Sequence, residues 1–170
     1  MTKVLLTSTQ LFHSWYMAFF QLPWLPEHSI APRAEELLRS GGLPADAAGN
    51  LYVALNLSFG QGGQSSKVPY RGCVLRVTPE GRQETVAVGL RSPNGIGRNA
   101  AGDIFVTDNQ GNWVPACPLF HVEQGDYLGV PMSLPWAATI PGQSSAAEPK
   151  RKLPAVWFPY DELCQSSTDI

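Results

Sequence analysis

The stretch Pro93–Trp113, PNGIGRNAAGDIFVTDNQGNW, decides how this chain is read. Its first residues, Pro93-Asn94-Gly95, have the composition of a tight turn. Asp103 to Thr107 alternates, which puts Ile104 and Val106 on one face of a strand and Phe105 and Thr107 on the other. A polar cluster follows: Asp108, Asn109, Gln110, Gly111 and Asn112. β-Proteins place ligand sites at such strand ends, and they place ordinary turns there too.

The stretch has an earlier copy. Leu43–Val53 (LPADAAGNLYV) aligns with Ile96–Val106 (IGRNAAGDIFV) at a constant offset of 53 residues. In each copy an apolar residue is followed three positions on by Asp or Asn, then Ala-Ala-Gly, then Asn or Asp, an aliphatic, an aromatic and Val. Gly49 and Gly102 can take the positive φ that a tight turn before a strand often needs. A strand–turn unit that recurs at about 40–50 residues marks a propeller blade or related array. The spacing here reads as one blade plus an inserted loop. The two Ala-Ala-Gly segments are therefore expected in neighbouring sheets, not paired within one.

Composition agrees with a chain of short strands. Gly 16 and Pro 15 in 170 residues favour turns over long helices. Twelve basic residues against 14 acidic ones give no reason to expect a nucleic-acid or acidic-membrane partner. The three cysteines, Cys73, Cys117 and Cys164, form no CxxC pair, and they read as reduced, partly buried thiols. Asn56-Leu57-Ser58 matches the glycosylation sequon, a pattern short enough to arise by chance.

The first forty residues differ. Leu11, Phe12, Trp15, Tyr16, Phe19 and Phe20 follow helical spacing, and Pro23 and Pro26 stop the helix. Pro32 to Arg39 reads as a second helix closed by Gly41 and Gly42. The first run is too short and too polar to span a membrane. Lys3 precedes an apolar segment, but no convincing cleavage site follows it, and the compartment stays open. Ser14–Glu27 (SWYMAFFQLPWLPE) resembles the cap helix of α/β-hydrolases of the epoxide hydrolase and haloalkane dehalogenase kind. That resemblance implies a substrate-binding tyrosine at Tyr16. No G-x-S-x-G nucleophile elbow occurs in the chain, so the reading of Tyr16 as an amphipathic helix residue outweighs the catalytic one. The expected division is a helical, cap-like segment over 1–42 and a β-array over 43–170.

Beyond Gly42, strands are expected near Leu51–Leu55, Cys73–Thr78, Glu84–Gly89 and Asp103–Thr107, with a turn at Pro79-Glu80-Gly81 and another over Ser92–Gly95. Residues 58–66 read as a polar loop, and 137–152 as an exposed linker. Leu153–Pro159 reads as one more strand with Pro at its margins.

Phe105–Trp113, with Pro118–Val122 and Gly125–Gly129 behind it, resembles bacterial proteins of the glucose/sorbosone dehydrogenase type, and Ser92–Ile96 resembles gluconolactonase and NHL propellers. Pro154–Pro159 fits the same pattern. The resemblance covers about residues 43–170. It implies a six-bladed β-propeller with a site at the mouth of its central channel, oxidising a small-molecule sugar with pyrroloquinoline quinone (PQQ) and Ca²⁺. One departure is Gly129-Val130-Pro131, where relatives often carry Gly-His-Pro. At about 40–50 residues per blade, residues 43–170 hold two to three blades. The fold class expected is mainly β: a partial, incomplete six-bladed-type propeller after a short helical segment, inactive as this chain. The alternatives are a non-enzymatic ligand-binding propeller and an α/β-hydrolase remnant.

Six residues are candidates for a site. Asn94 offers a side-chain carbonyl to a hard cation, a role that the gluconolactonase resemblance also implies, or it satisfies its own turn backbone. Asp108 is the second candidate metal ligand, and Asn109 and Asn112 place further oxygens nearby for a cofactor or cation. Trp113 could stack on a sugar ring or simply pack. His121 is the candidate catalytic base, with a core or capping histidine as the plainer reading.

Overall fold

The two Ala-Ala-Gly segments build the same hairpin turn. A computed structural model describes residues 43–57, 69–109, 115–143 and 150–164, and the helices and Tyr16 expected within 1–42 lie outside these, as does the 58–66 loop. In the first turn Asp46 N–H donates to Asn50 O (3.0 Å), Gly49 N–H to Asp46 O (3.0 Å) and Asn50 N–H to Asp46 Oδ1 (3.0 Å). In the second, Asn99 N–H donates to Asp103 O (3.1 Å), Gly102 N–H to Asn99 O (3.1 Å) and Asp103 N–H to Asn99 Oδ1 (2.9 Å). Asp and Asn have exchanged places between the copies. The closing side-chain bond survives the exchange, since one amide still donates to one carboxylate: Asn50 Nδ2 to Asp46 Oδ2, and Asn99 Nδ2 to Asp103 Oδ2, each 2.8 Å. Gly49 and Gly102 hold φ of +83° and +99°, as the last residue of a three-residue hairpin loop requires.

These turns feed two sheets. Sheet A contains β1 (Leu51–Ala54), β2 (Cys73–Val77), β3 (Gln83–Val88) and β7 (Asp126–Tyr127), in that order. Sheet B contains β4 (Pro93–Arg98), β5 (Ile104–Asp108), β6 (Ala116–Val122) and β8 (Val156–Pro159). All neighbours pair antiparallel except β7, which lies parallel to β3. Ala45 bridges Leu51 in sheet A as Arg98 pairs with Ile104 in sheet B, so the 53-residue offset maps one sheet edge onto the other. Arg98 Nη1 also donates to the carbonyl of Ala45, its own counterpart (2.5 Å).

The main core lies between the sheets. Val74, Val86, Ala87 and Leu90 meet Ile104, Val106, Phe120, Val122 and Leu128 there. The strands bury alternate residues toward it, as expected for Ile104 and Val106. A bulge modifies β3: Val74 pairs with Ala87 and Leu75 with Thr85, leaving Val86 as the extra residue. The bulge lets the consecutive residues Val86 and Ala87 both join the main core, while Val88 turns to the other face of sheet A. On that face Cys73, Leu75 and Val88 pack with Ile140 under a 3-10 helix, Pro131–Thr139.

Two expectations are corrected. Pro93-Asn94-Gly95 is not a turn; it opens β4, with the register shifting between Pro93 and Gly95 so that Asn94 sits at a bulge. The chain reverses one step earlier, at Arg91 and Ser92, and Pro93 is accommodated because β4 is an edge strand. Nor is 137–152 a uniformly exposed linker. Ala137 and Ile140 cover the second core, Thr139 and Thr85 hydroxyls are hydrogen-bonded (2.7 Å), and Lys152 Nζ reaches Glu123 and Asp126 (2.6 Å each). The sequon residue Asn56 is buried. Among the described residues no helix is long and apolar enough to cross a membrane.

Gly102 and Gly89 separate conformational strain from steric clash. A Cβ on Gly102 would meet nothing within 4 Å, so Gly102→Ala should cost only the backbone term, about 1–2 kcal/mol. A Cβ on Gly89 would fall 2.6 Å from Leu128 N, and Gly89→Ala should cost more and loosen the β3–β7 pairing. Urea unfolding of the two variants, with amide exchange at Leu128, measures both effects.

Candidate functional site

Asp108 ends β5 and is almost wholly buried, at 2% exposure. Its carboxylate accepts three backbone N–H groups: Arg91 to Oδ2 (2.7 Å), Ser92 to Oδ1 (2.7 Å) and Asn109 to Oδ1 (2.9 Å). It therefore holds the chain reversal that carries β3 into β4. Burial pushes its carboxyl up to about 6, against the three N–H donors and the Arg91 charge, which favour the carboxylate. Beside it, Thr107 Oγ1 and Asn109 Oδ1 are buried with no hydrogen-bond partner among the described residues. Asn94, on the neighbouring bulge, is half-buried. Asn112 and Trp113 lie outside the described residues.

Ca²⁺ takes six to eight oxygens, usually including several carboxylates. Among the described residues no group of three or more His, Cys, Asp or Glu side chains could hold a metal ion. Both Asp108 oxygens are already aimed at backbone donors. By themselves, then, the described residues do not fit Ca²⁺ or a quinone held through it.

His121 occupies a different place. It pairs with Phe105 across β5–β6 and stacks on that ring, with centroids 5.2 Å apart. Its Nε2 is 3.8 Å from Asp103 Oδ1. Phe105 is three residues from Asp108 along β5, roughly 10 Å at the rise of a strand. The fold thus sets His121 and Asp108 at opposite ends of one strand and does not bring them together. His121 borders a cleft of about 250 Å³, lined also by Tyr52, Arg76, Asp103 and Gln124. Sequence reasoning missed the Asp103–His121 pair, because only the register of β5 on β6 puts them side by side. It also missed the two unpartnered oxygens, for which the sequence carries no signal.

No protein-family model matches the chain, and no curated protein matches it. Solved structures do. The crystal structure of a glucose dehydrogenase matches at a TM-score of 0.51 and 20% identity, over 69% of this chain and 39% of that one. The PQQ-bound form of an aldose sugar dehydrogenase from Streptomyces coelicolor matches at 0.50 and 16% identity, over 69% and 34%. The fold is shared with sugar dehydrogenases. At these identities the likeness is one of fold, and this chain spans less than two fifths of either neighbour.

Asp108 should shape the pH dependence of stability. Its folded-state value near 6 lies above the ordinary 3.8, so between the two the folded chain binds the extra proton. Its contribution therefore falls as pH rises from about 4 to about 6 and is level beyond, a change of order 3 kcal/mol. Glu84, held low by its hydrogen bond from Arg76, and Glu123, held low by Lys152, slope the other way. The difference in Tm between wild type and Asp108→Asn across pH 4–7 isolates the Asp108 part. A difference that grows with pH in the wild type's favour would mean that the three N–H donors outweigh burial.

Proposed function

We propose that residues 43–170 are part of a β-propeller of the sugar dehydrogenase type, with sheets A and B as successive blades and a boundary near Gly42. The intact relative would oxidise an aldose or related sugar with PQQ and Ca²⁺. One observation carries this reading. The Ala45–Leu51 bridge and the Arg98–Ile104 pair are equivalent at the 53-residue offset, yet they stand in two different sheets that pack face to face. A repeated unit whose copies pack against each other, instead of pairing edge to edge, is how a propeller is built. The fold likeness to a glucose dehydrogenase supports the same assignment.

This chain is proposed to lack turnover by itself. Asp108 serves the backbone at one end of β5, and His121 lies at the other end, so no described pair is poised to remove a proton beside a bound cation. Asn109, Asn112, Trp113 and Asn94 keep their proposed roles toward a cofactor or metal only with groups from further blades. In such a site the bound quinone would supply the two-electron acceptor.

The test is reconstitution of the chain with PQQ and Ca²⁺, followed by dye reduction across several aldoses. Reduction should not exceed a control without protein. Sugar-dependent turnover that disappears in His121→Ala, with the fold intact by circular dichroism, would overturn the inactive reading and make His121 catalytic.

A further inference from the structure

We infer that the face of sheet B turned away from sheet A is an interaction surface, and that its occupant is the same face of a second copy of this chain. The strand registers make the two sheets comparable row by row. In sheet A, Tyr52 lies opposite Arg76, and Ala54, Val74 and Ala87 form the next row. Tyr52, Ala54, Val74 and Ala87 pack in the main core, where Val74 and Ala87 are wholly buried. At the 53-residue offset Tyr52 becomes Phe105 and Ala54 becomes Thr107. Phe105 lies opposite His121, and Thr107, Leu119 and Val156 form the next row. Ile104, Val106, Phe120 and Val122 point into the main core, so these two rows alternate to the other side of sheet B. Sheet B therefore carries, on its far side, the equivalent of the face that sheet A buries.

That equivalent face is only partly covered. Val156, in the place of the wholly buried Ala87, is 42% exposed. Phe105 and Leu119 are half-buried, and the His121 side chain is 36% exposed. Thr107 and Cys117, toward the Asp108 end of the strands, are already buried. The open part is the apolar strip of Phe105, Leu119 and Val156, with His121 beside it.

The repeat by itself would seat the far side of another sheet A on this strip, because Leu51 and Val53 correspond to Ile104 and Val106. The chain closes that route. Its own 3-10 helix, Pro131–Thr139, covers the far side of sheet A, and Ile140 packs there on Cys73, Leu75 and Val88, with Trp136 and Ala137 beside it. The Thr139 and Thr85 hydroxyls pin the helix to β3 (2.7 Å). Head-to-tail stacking would have to strip this cover. What a second copy can offer is the matching face of its own sheet B, in a twofold contact that closes at two chains. Each sheet A then forms a capped end. The contact rests on the equivalence of the two sheets and not on oxidation chemistry, so its failure would leave the sugar dehydrogenase reading standing.

The experiment is size-exclusion chromatography with light scattering on the full chain at rising concentration. A monomer should give way to the mass of two chains and to nothing larger. Val156→Lys, at an exposed position, should keep the circular dichroism of the wild type and lose the dimer. Glu80→Lys, on the turn between β2 and β3, should keep both. Hydroxyl-radical footprinting of the wild type decides independently of any substitution: Phe105, His121 and Val156 should be oxidised more in the monomer than in the dimer, with Trp136 and Ile140 unchanged. A monomer at every concentration, a dimer that survives in folded Val156→Lys, or protection that falls elsewhere would overturn the inference. So would a mass that keeps growing with concentration, which would mean stacking through sheet A.

Discussion

A five-residue turn that closes on itself by one amide–carboxylate bond is the constraint on which the rest depends. It occurs as Asp46–Asn50 and as Asn99–Asp103, and the reversal of Asp and Asn shows what is required. Neither residue type is needed at a given position; a donor and an acceptor facing each other are. Thr78–Arg82 solves the same problem with a hydroxyl: Thr78 N–H donates to Arg82 O (2.8 Å), Gly81 N–H to Thr78 O (2.9 Å) and Arg82 N–H to Thr78 Oγ1 (3.3 Å). A one-residue slip in any of these turns would move a strand's apolar residues to the wrong face. Register at the turns therefore sets which side chains reach the core between the sheets.

That dependence explains where the sequence was legible. The Ala-Ala-Gly copies could be read because a turn of this kind is local: its donors, acceptors and positive-φ glycine fall within five residues. The hairpin at Pro79-Glu80-Gly81 was readable for the same reason, and β5 was readable from alternation. The Pro93–Gly95 stretch misled because Pro-Asn-Gly is turn chemistry locally. The carboxylate that fixes the reversal, Asp108, comes from another strand sixteen residues beyond Ser92. The linker reading of 137–152 held for its exposed residues but missed Ile140 in the same manner. Its composition is polar and small, but Ile140 is held by a core it meets only in three dimensions.

The candidate site was less legible still. Asp108 and Asn109 read as candidate ligand oxygens just past a strand end, whereas Asp108 ends β5, buried and engaged by backbone donors. A lone acidic residue in that position reads the same whether it faces a cation or a peptide N–H. Burial and partner direction separate the two, and neither is encoded in spacing. His121 was picked out by its residue type alone, and its place beside Asp103 emerged only from the strand register.

The path of the chain binds the sheets together more firmly than the repeat requires. Strands β1 to β3 build sheet A and β4 to β6 build sheet B; the chain then returns to sheet A with β7 before finishing sheet B with β8. Leu128, which follows β7, enters the core between the sheets, and its N–H donates to Val88 O (2.8 Å). Lys152, on the way back, donates its N–H to Tyr127 O (2.7 Å) and ion-pairs with Asp126. Pulling the sheets apart would therefore break a strand pairing and an ion pair as well as a hydrophobic face. The crossed path makes the two sheets one cooperative unit. It also gives sheet A a partner for β3 at its outer edge, while β8 leaves the outer edge of sheet B as backbone with no strand beyond it among the described residues. The two outer edges are thus finished by different means: a strand covers β3, and beyond β8 the chain folds back so that the N–H groups of Leu163 and Cys164 both donate to Pro159 O (3.1 and 3.3 Å).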